Sequence, residues 1–234
     1  MVFKPVGDAV EVAWLAEIYP QIAQRGFRIA CPLPAVGGAW IVDGWWAQEQ
    51  LDGAHARDRW PEVLQTCRAF HTGAAHLARP AFLAARRDPW AVADRAAFDE
   101  GPVDCHARLT PAVRRLAALL RPLDLPSQLI HGDFGGNVLF ADDLAPAVID
   151  ISPYWRPAGF ALAVVIVDAL VWEGAPPNLL DLVGNEPQFD QLLARAALRR
   201  ILELDAHYRL RGVDHLSHID AYEAVLALIE DRCG

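Results

Sequence analysis

Residues 130–150 combine side chains that could support metal-assisted chemistry. His131, Asp133 and Asn137 lie on a glycine-containing turn, and Asp150 stands at the end of a later apolar run. Two carboxylates and one carboxamide at neighbouring strand ends can hold a divalent cation through oxygen ligands. A carboxylate that stays off the metal could orient a hydroxyl for attack. Phosphoryl transfer needs these parts, because its catalysis consists mostly of positioning and charge neutralisation.

The same segment also has a simpler interpretation, a β-hairpin whose Asp, Asn and Gly residues only make turns. The short apolar runs at 138–140 and 147–149 predict the two strands. Asp142 and Asp143 between them are typical of a polar hairpin tip. A single histidine such as His131 needs partners to act in chemistry, so we expect it to brace the loop through hydrogen bonds.

The motif His131-Gly132-Asp133, followed by Asn137 and Asp150, resembles the catalytic and metal-binding loops of the aminoglycoside phosphotransferase and choline kinase group, which are distant relatives of the protein kinases. The resemblance implies that Asp133 is catalytic, orienting the acceptor hydroxyl and accepting its proton. It implies that Asn137 and Asp150 are the metal ligands and coordinate Mg²⁺.

One spacing departs from the group. Its members usually place the asparagine five residues after the catalytic aspartate, whereas Asn137 follows Asp133 by four. We expect Gly135 and Gly136 to absorb the shortened loop by adopting backbone angles that are closed to other residues.

The order of the predicted elements indicates an α+β, protein-kinase-like fold with two lobes: a truncated small N-lobe at 1–51 and a mainly helical C-lobe at 52–234. The predicted strands are 2–4, 28–34, 39–42 and 44–51, together with the hairpin. The predicted helices are 8–24, 60–77, 80–86, 89–97, 111–120, 159–172, 188–210 and 218–231.

The resemblance also implies a nucleotide site in the small lobe. Lys4 has the position of the strand lysine that reaches the α- and β-phosphates of ATP, although a solvated lysine is the alternative. Its expected partner is Glu11, which shares a helix face with apolar residues, rather than Glu17, which is expected to face water. Glu49 and Leu51 lie in the expected linker between the lobes. In the resembling proteins, backbone N–H and C=O atoms of this linker bind adenine.

Members of the group carry two strands and a glycine-rich loop ahead of this lysine, and that hairpin covers the phosphates of ATP. Only three residues precede Lys4. Two explanations for the missing hairpin are open: the sequence begins too late, or the protein works without this cover. Losing the cover would remove backbone N–H donors to the phosphates.

Two features after Asp150 have open interpretations. Residues 151–157 are expected to form a loop. Its aromatic side chains either flank the acceptor site or only pack against the body of the protein. Members of the group often carry a further aspartate that supports the catalytic loop. The resemblance makes Asp168 the candidate for this role, since it lies within an otherwise apolar helix where a buried carboxylate needs a partner.

The composition limits the class of protein. Of 234 residues, 53% are hydrophobic and 22% are charged, which indicates an ordered globular chain. The net charge of −9 argues against nucleic acid as a partner. No apolar run of about 18 residues predicts a membrane span. Four scattered cysteines and a start that lacks signal-peptide features predict reduced thiols and a cytoplasmic location.

The leading hypothesis is therefore an ATP- and Mg²⁺-dependent phosphotransferase that acts on a hydroxyl of a small molecule, such as a sugar, an aminocyclitol or an amino alcohol. A kinase-like binding protein, or a catalytically weak remnant, is the main alternative. A metal-dependent hydrolase that uses Asp133 and Asp150 is a third option. The sequence does not specify the acceptor or the oligomeric state.

Overall fold

The protein is an α+β protein, and its computed structural model describes all residues from 1 to 234. Contacts between residues divide the chain into two units. The first unit contains Met1–Ala85 and Ser127–Ala158, and the second contains Arg86–Pro126 and Gly159–Gly234. This grouping does not test the predicted lobe boundary after residue 51, which stays a prediction.

The first unit holds every strand and three helices. The elements are β1 (Val2–Pro5), α1 (Ala9–Ile18), β2 (Arg28–Ile29), β3 (Pro32–Leu33), β4 (Trp45–Gln48), α2 (Trp60–Ala74), α3 (Phe82–Ala85), β5 (Gln128–His131), β6 (Val138–Leu139), β7 (Ala147–Val148) and β8 (Pro153–Arg156). The strands form three small sheets, with the orders β1-β4-β3, β2-β7-β6 and β5-β8.

Helix α1 begins where the sequence predicts and ends earlier. The Asp8 carboxylate accepts a hydrogen bond of 2.8 Å from the Val10 N–H, so it satisfies one of the unpaired donors of the first turn. The α-helix stops at Ile18, and a 3₁₀ turn, Tyr19–Gln21, follows it. Pro20 explains the early end, since it has no N–H to continue the α-helical ladder.

The predicted hairpin is confirmed: β6 and β7 are antiparallel, with Val138 opposite Val148. Strand β2 adds to it in parallel, with Ile29 also opposite Val148. The Arg28 side chain strengthens this attachment, because its guanidinium donates to the carbonyls of Ala145 at 2.8 Å and Asp52 at 2.9 Å.

The predicted strand at 39–42 is wrong. Only Val42 makes a strand-like bridge, and it pairs with Trp45 across a two-residue turn. Asp43 and Gly44 form this turn with φ of 49° and 78°. Two positive φ angles in succession are the signature of a type I′ turn, which Asp-Gly favours.

The segment after Asp150 is also different from the expected loop. Its residues Pro153–Arg156 form β8, which pairs with β5 in an antiparallel ladder. Pro153 is the first residue of the strand, a position that proline tolerates because the N–H there is dispensable.

The second unit is helical. Its elements are α4 (Pro89–Ala97), α5 (Thr110–Leu119), α6 (Ala158–Trp172, in this unit from Gly159 onward), α7 (Phe189–Arg211) and α8 (Glu223–Cys233), with 3₁₀ turns at Pro177–Val183 and Leu216–Tyr222. The long helix α7 packs against α4, α5 and α8. No helix of the chain has the length and apolar character needed to cross a membrane.

Asp168 of α6 is paired within the helical unit, and its role as a support for the catalytic loop stays a prediction. Both of its carboxylate oxygens bind the guanidinium of Arg200 on α7, and both side chains are largely buried. Arg200 also binds Glu203, one turn further along α7. The partner that this buried carboxylate requires is therefore an arginine of the helical unit.

Candidate active site

The candidate catalytic loop begins where β5 ends at His131. Asn137 turns back on Asp133, because its side-chain nitrogen donates to the Asp133 carbonyl at 2.6 Å and lies 3.4 Å from one carboxylate oxygen. Residues Gly135–Asn137 form a 3₁₀ turn. Neither glycine has a positive φ, so the expectation of special backbone angles is wrong. A tighter turn takes up the short spacing instead.

His131 joins this loop to the segment that carries Asp150. The N–H groups of Asp133 and Ser152 lie 3.2 and 3.3 Å from His131 Nδ1. Because Nδ1 accepts from these donors, the ring proton is on Nε2, which donates to the Ile149 carbonyl at 3.2 Å. The imidazole thus braces both segments through hydrogen bonds, as the sequence predicts.

Aromatic packing holds the histidine in place. His131 and Phe134 are fully buried, with ring centroids 5.3 Å apart in an edge-to-face arrangement. Phe70 of α2 lies against both rings, with centroids at 6.2 and 5.8 Å. Rings at these separations interact favourably, so the loop packs against a buried aromatic cluster.

Asp150 lies beside the Asn137 turn. The Ile149 N–H donates to the Asn137 carbonyl at 3.0 Å, which extends the β6–β7 pairing to the residue before Asp150. Asp150 itself has φ of 52°, in the left-handed region that aspartate tolerates better than most residues. The chain therefore turns at Asp150, and its side chain is half exposed.

The ammonium of Lys4 pairs directly with the Asp150 carboxylate. It also lies 5.5 Å from the centroid of the Trp46 ring, which stands opposite Lys4 in the β1–β4 ladder. Burial of the ammonium lowers the pKa of Lys4 below its ordinary value. The expected pairing of Lys4 with Glu11 stays a prediction.

The expected adenine linker follows β4 directly. The Glu49 N–H donates to the Cys31 carbonyl at 2.8 Å, and the Glu49 carboxylate accepts from the Cys31 N–H at 3.2 Å. The backbone N–H of Leu51 makes no hydrogen bond within the chain. Leu51 therefore offers a donor, while the backbone and side chain of Glu49 are fixed against Cys31. The roles of both residues in binding adenine remain predictions.

The oxygen atoms of this site suit a hard divalent cation. With its nitrogen bound to Asp133, the Asn137 amide accepts no hydrogen bond within the chain, so its oxygen is available. Asp150 supplies a half-exposed carboxylate. No three His, Cys, Asp or Glu side chains gather as a metal site. Two protein ligands are compatible with Mg²⁺, which usually keeps several waters and takes substrate phosphates as further ligands.

Sequence reasoning missed His71, which contacts the site from α2. Its ring nitrogen Nε2 accepts a hydrogen bond from the backbone N–H of His131 at 3.1 Å. The available signal was a histidine on the apolar stripe of a predicted helix, next to Phe70 and one turn after Cys67. Such a histidine is usually only a satisfied core residue, so the pattern alone does not reveal this contact.

A model of the phosphotransferase enzyme family, APH, matches residues 1–151, which is more than half of the chain and includes the loop of Asp133 and the turn of Asp150. The chain belongs to this family. The resemblance seen in the sequence is thereby confirmed. No curated protein sequence matches the chain significantly.

Solved structures of two antibiotic phosphotransferases and of one antibiotic kinase show the same fold. The AMP-bound spectinomycin phosphotransferase APH(9)-Ia matches with a TM-score of 0.62 and 14% identity, covering 97% of this chain and 85% of the other. A thermostable mutant of APH(4)-Ia, in complex with AMP-PNP and hygromycin B, gives 0.60 and 16%, with 96% and 84% covered. Amicoumacin kinase hAmiN, in complex with AMP-PNP, Ca²⁺ and Ami, gives 0.60 and 14%, with 97% and 78% covered. The predicted α+β, protein-kinase-like fold is confirmed.

Proposed function

We propose that this member of the phosphotransferase family is a cytoplasmic, ATP- and Mg²⁺-dependent kinase that phosphorylates a hydroxyl of a small molecule. One observation carries the proposal. The loop of Asp133 and Asn137 and the turn of Asp150 share one bracing residue, His131, while Lys4 pairs with Asp150. A lysine, a base, an amide ligand and a carboxylate ligand are the parts that phosphoryl transfer needs.

Each side chain has a distinct task in this proposal. The Asp133 carboxylate orients the acceptor hydroxyl and takes its proton, since it is the carboxylate that stays off the metal. Lys4 directs its ammonium at the α- and β-phosphates of the nucleotide, leaving the Asp150 carboxylate as it does so. Glu11 is the proposed partner that steadies Lys4. Backbone groups of Glu49 and Leu51 hold the adenine ring.

The oxygen atoms of Asn137 and Asp150 would hold Mg²⁺, which would supply charge neutralisation for the transferred phosphate. The hydrogen bond from Asn137 to the Asp133 carbonyl supports this division of labour. It fixes the spacing between the base and the amide ligand, so that a single short turn presents both.

The acceptor that we propose is a hydroxyl of a sugar, an aminocyclitol or an amino alcohol. Two similar structures contain spectinomycin or hygromycin B together with a nucleotide, which supports a small polar acceptor. The net charge of −9 is compatible with an acceptor that carries amino groups.

Calorimetric titration with ATP, with and without Mg²⁺, tests the proposal before the acceptor is known. We expect ATP to bind and its affinity to rise when Mg²⁺ is present. A panel of sugars, aminocyclitols and amino alcohols in a coupled ADP-release assay then identifies the acceptor, with Asp133→Asn as the inactive control. Nucleotide binding that does not depend on metal would favour the weak-remnant alternative, and metal binding without ATP binding would favour the hydrolase.

A further inference from the structure

His131 begins a chain of contacts that ends outside the catalytic loop. The N–H of Gly132 points at β8 and donates to the Ser152 carbonyl at 2.8 Å. Successive residues of a strand present their N–H groups to opposite sides, so the N–H of His131 points away from β8. The β5–β8 sheet has only two strands, and no strand lies on that side of β5.

A buried N–H at a strand edge needs a partner, because leaving it unpaired costs as much as a lost hydrogen bond. His131 is fully buried, so water does not supply that partner. His71 of α2 does so through Nε2 at 3.1 Å. A side chain thus substitutes for the missing neighbouring strand.

The state of the His71 ring suits this contact. Its Nδ1 lies 2.7 Å from the Cys67 carbonyl in the preceding turn of α2, which fixes the proton on Nδ1 and leaves Nε2 as an acceptor. Burial lowers the pKa of His71 to about 3, so the ring is neutral near pH 7. The Gln128 side chain donates to the His71 carbonyl at 2.7 Å, a second tie between α2 and β5.

We propose that His71 is a positioning residue for the phosphotransfer site, acting through the backbone of His131. This inference rests on the proposed function. His71 fixes the backbone at which the β5 strand ends, and the His131 ring that starts from this backbone holds the N–H groups of Asp133 and Ser152 and the carbonyl of Ile149. One acceptor in α2 thereby sets both the base loop and the metal-binding turn.

Three variants separate this role from a general contribution to the core. His71→Leu removes the acceptor. His71→Gln replaces Nε2 by a side-chain oxygen that can accept from the His131 N–H. Thr66→Val is the matched control, because Thr66 is also buried in α2 and its hydroxyl only donates to the Glu62 carbonyl of the same helix.

Hydrogen exchange measured by mass spectrometry tests the positioning without any ligand. In His71→Leu, we expect exchange at 131–137 and at 149–152 to be about tenfold faster, since a lost buried hydrogen bond raises the open population by about this factor. His71→Gln should restore most of the protection, and Thr66→Val should leave both segments as they are. Unchanged exchange in His71→Leu, or equal acceleration in Thr66→Val, would overturn the inference.

Calorimetry on the same variants connects the contact to function. In His71→Leu, the affinity for ATP without metal should stay within about twofold, while the gain on adding Mg²⁺ falls by about tenfold, as for supporting residues around a metal. Equal losses with and without Mg²⁺ would contradict the inference. If the unchanged protein shows no Mg²⁺-dependent ATP binding, the proposed function fails, and hydrogen exchange alone decides whether His71 positions the two segments.

Discussion

Replacing Asp150 by asparagine tests the metal-binding role of its turn. Asp150 has φ of 52°, and asparagine tolerates the left-handed region about as well as aspartate, so Asp150→Asn keeps the turn. The substitution keeps the shape of the side chain and removes one negative charge. Lys4 loses its carboxylate partner, while the Asn137 amide is left in place.

Coulomb's law gives the size of the effect. Unit charges about 4 Å apart attract by about 1 kcal/mol in water and about 4 kcal/mol at an effective dielectric constant of about 20. The attraction of a divalent cation to the Asp150 carboxylate is roughly twice the value for two unit charges. Displacing the Lys4 ammonium costs roughly the value for one pair of unit charges. The net value of about 1 to 4 kcal/mol corresponds to roughly fivefold to several hundredfold in affinity.

Solvent moves the expected result toward the lower end of this range. The Asp150 side chain is 49% exposed, so water screens its charge. We therefore expect Asp150→Asn to weaken Mg²⁺-dependent ATP binding by about tenfold, or about 1.4 kcal/mol. Binding of ATP without metal should not weaken, because the Lys4 ammonium is no longer held by a carboxylate.

Calorimetric titration of ATP at several Mg²⁺ concentrations measures this change. Asp143→Asn is the control, because Asp143 also has a left-handed φ, 59°, and lies at the exposed tip of the same hairpin. Full Mg²⁺ dependence in Asp150→Asn would refute the assignment of Asp150 as a metal ligand. An equal loss in Asp143→Asn would show that the effect comes from the hairpin and not from the ligand.

The remaining predictions concern the base, the lysine and the helical unit. Asp133→Asn should lower kcat by about 10² to 10⁴-fold in a coupled assay while Mg·ATP still binds, because it removes only the proton acceptor; loss of ATP binding would contradict this role. Because burial lowers the pKa of Lys4, its charge is lost as the pH rises through a value below 10.5, and ATP affinity should fall there. Lys4→Arg should shift that fall to higher pH, and an identical alkaline limb in both proteins would exclude Lys4 as its cause. Asp168→Asn should reduce the free energy of unfolding in urea by about 3 kcal/mol, since it leaves the buried Arg200 short of a partner, without changing kcat. A lower kcat at unchanged stability would instead assign Asp168 to the catalytic loop.

Elements with local signals could be predicted from the sequence. Helix α4 occupies the predicted residues 89–97, because Pro89 suits the first helical position and the Asp88 carboxylate caps the Ala91 N–H at 2.9 Å. The β6–β7 hairpin was also predictable, since two apolar runs flank polar turn residues. In both cases the residues that define the element lie within a few positions of one another.

Non-local pairing could not be predicted. Strand β2 consists of Arg28 and Ile29, and its partner is β7, far along the chain. Two residues carry too little periodicity to identify a strand or its neighbour. The β5–β8 pairing was not predicted for a related reason. Pro153 and Arg156 in the second strand are typical of a loop when they are considered locally.

In the candidate site, too, local features were predictable from the sequence and non-local contacts were not. The residue types and spacing predicted Asp133, Asn137 and Asp150 as a group, and the structure gives each of them a place beside His131 or its contacts. The conformation of the short loop was not predictable, because Gly135 and Gly136 are equally compatible with positive φ and with a 3₁₀ turn. The contact from α2 depends on where a buried backbone N–H points, which only the strand pairing determines.

The turn-forming and metal-binding interpretations of Asp150 are compatible. Five of the six non-glycine residues with positive φ in this chain are aspartates, so the left-handed backbone at Asp150 follows a general preference and does not by itself indicate function. The surroundings of the carboxylate distinguish Asp150 from Asp143, which has nearly the same φ. Asp150 has the Lys4 ammonium against it and the Asn137 turn bonded to the preceding residue, whereas Asp143 lies at a polar hairpin tip. A turn residue thus becomes a candidate ligand when the fold brings a carboxamide and a lysine to it, and this is why the Asp150→Asn and Asp143→Asn pair is the decisive comparison.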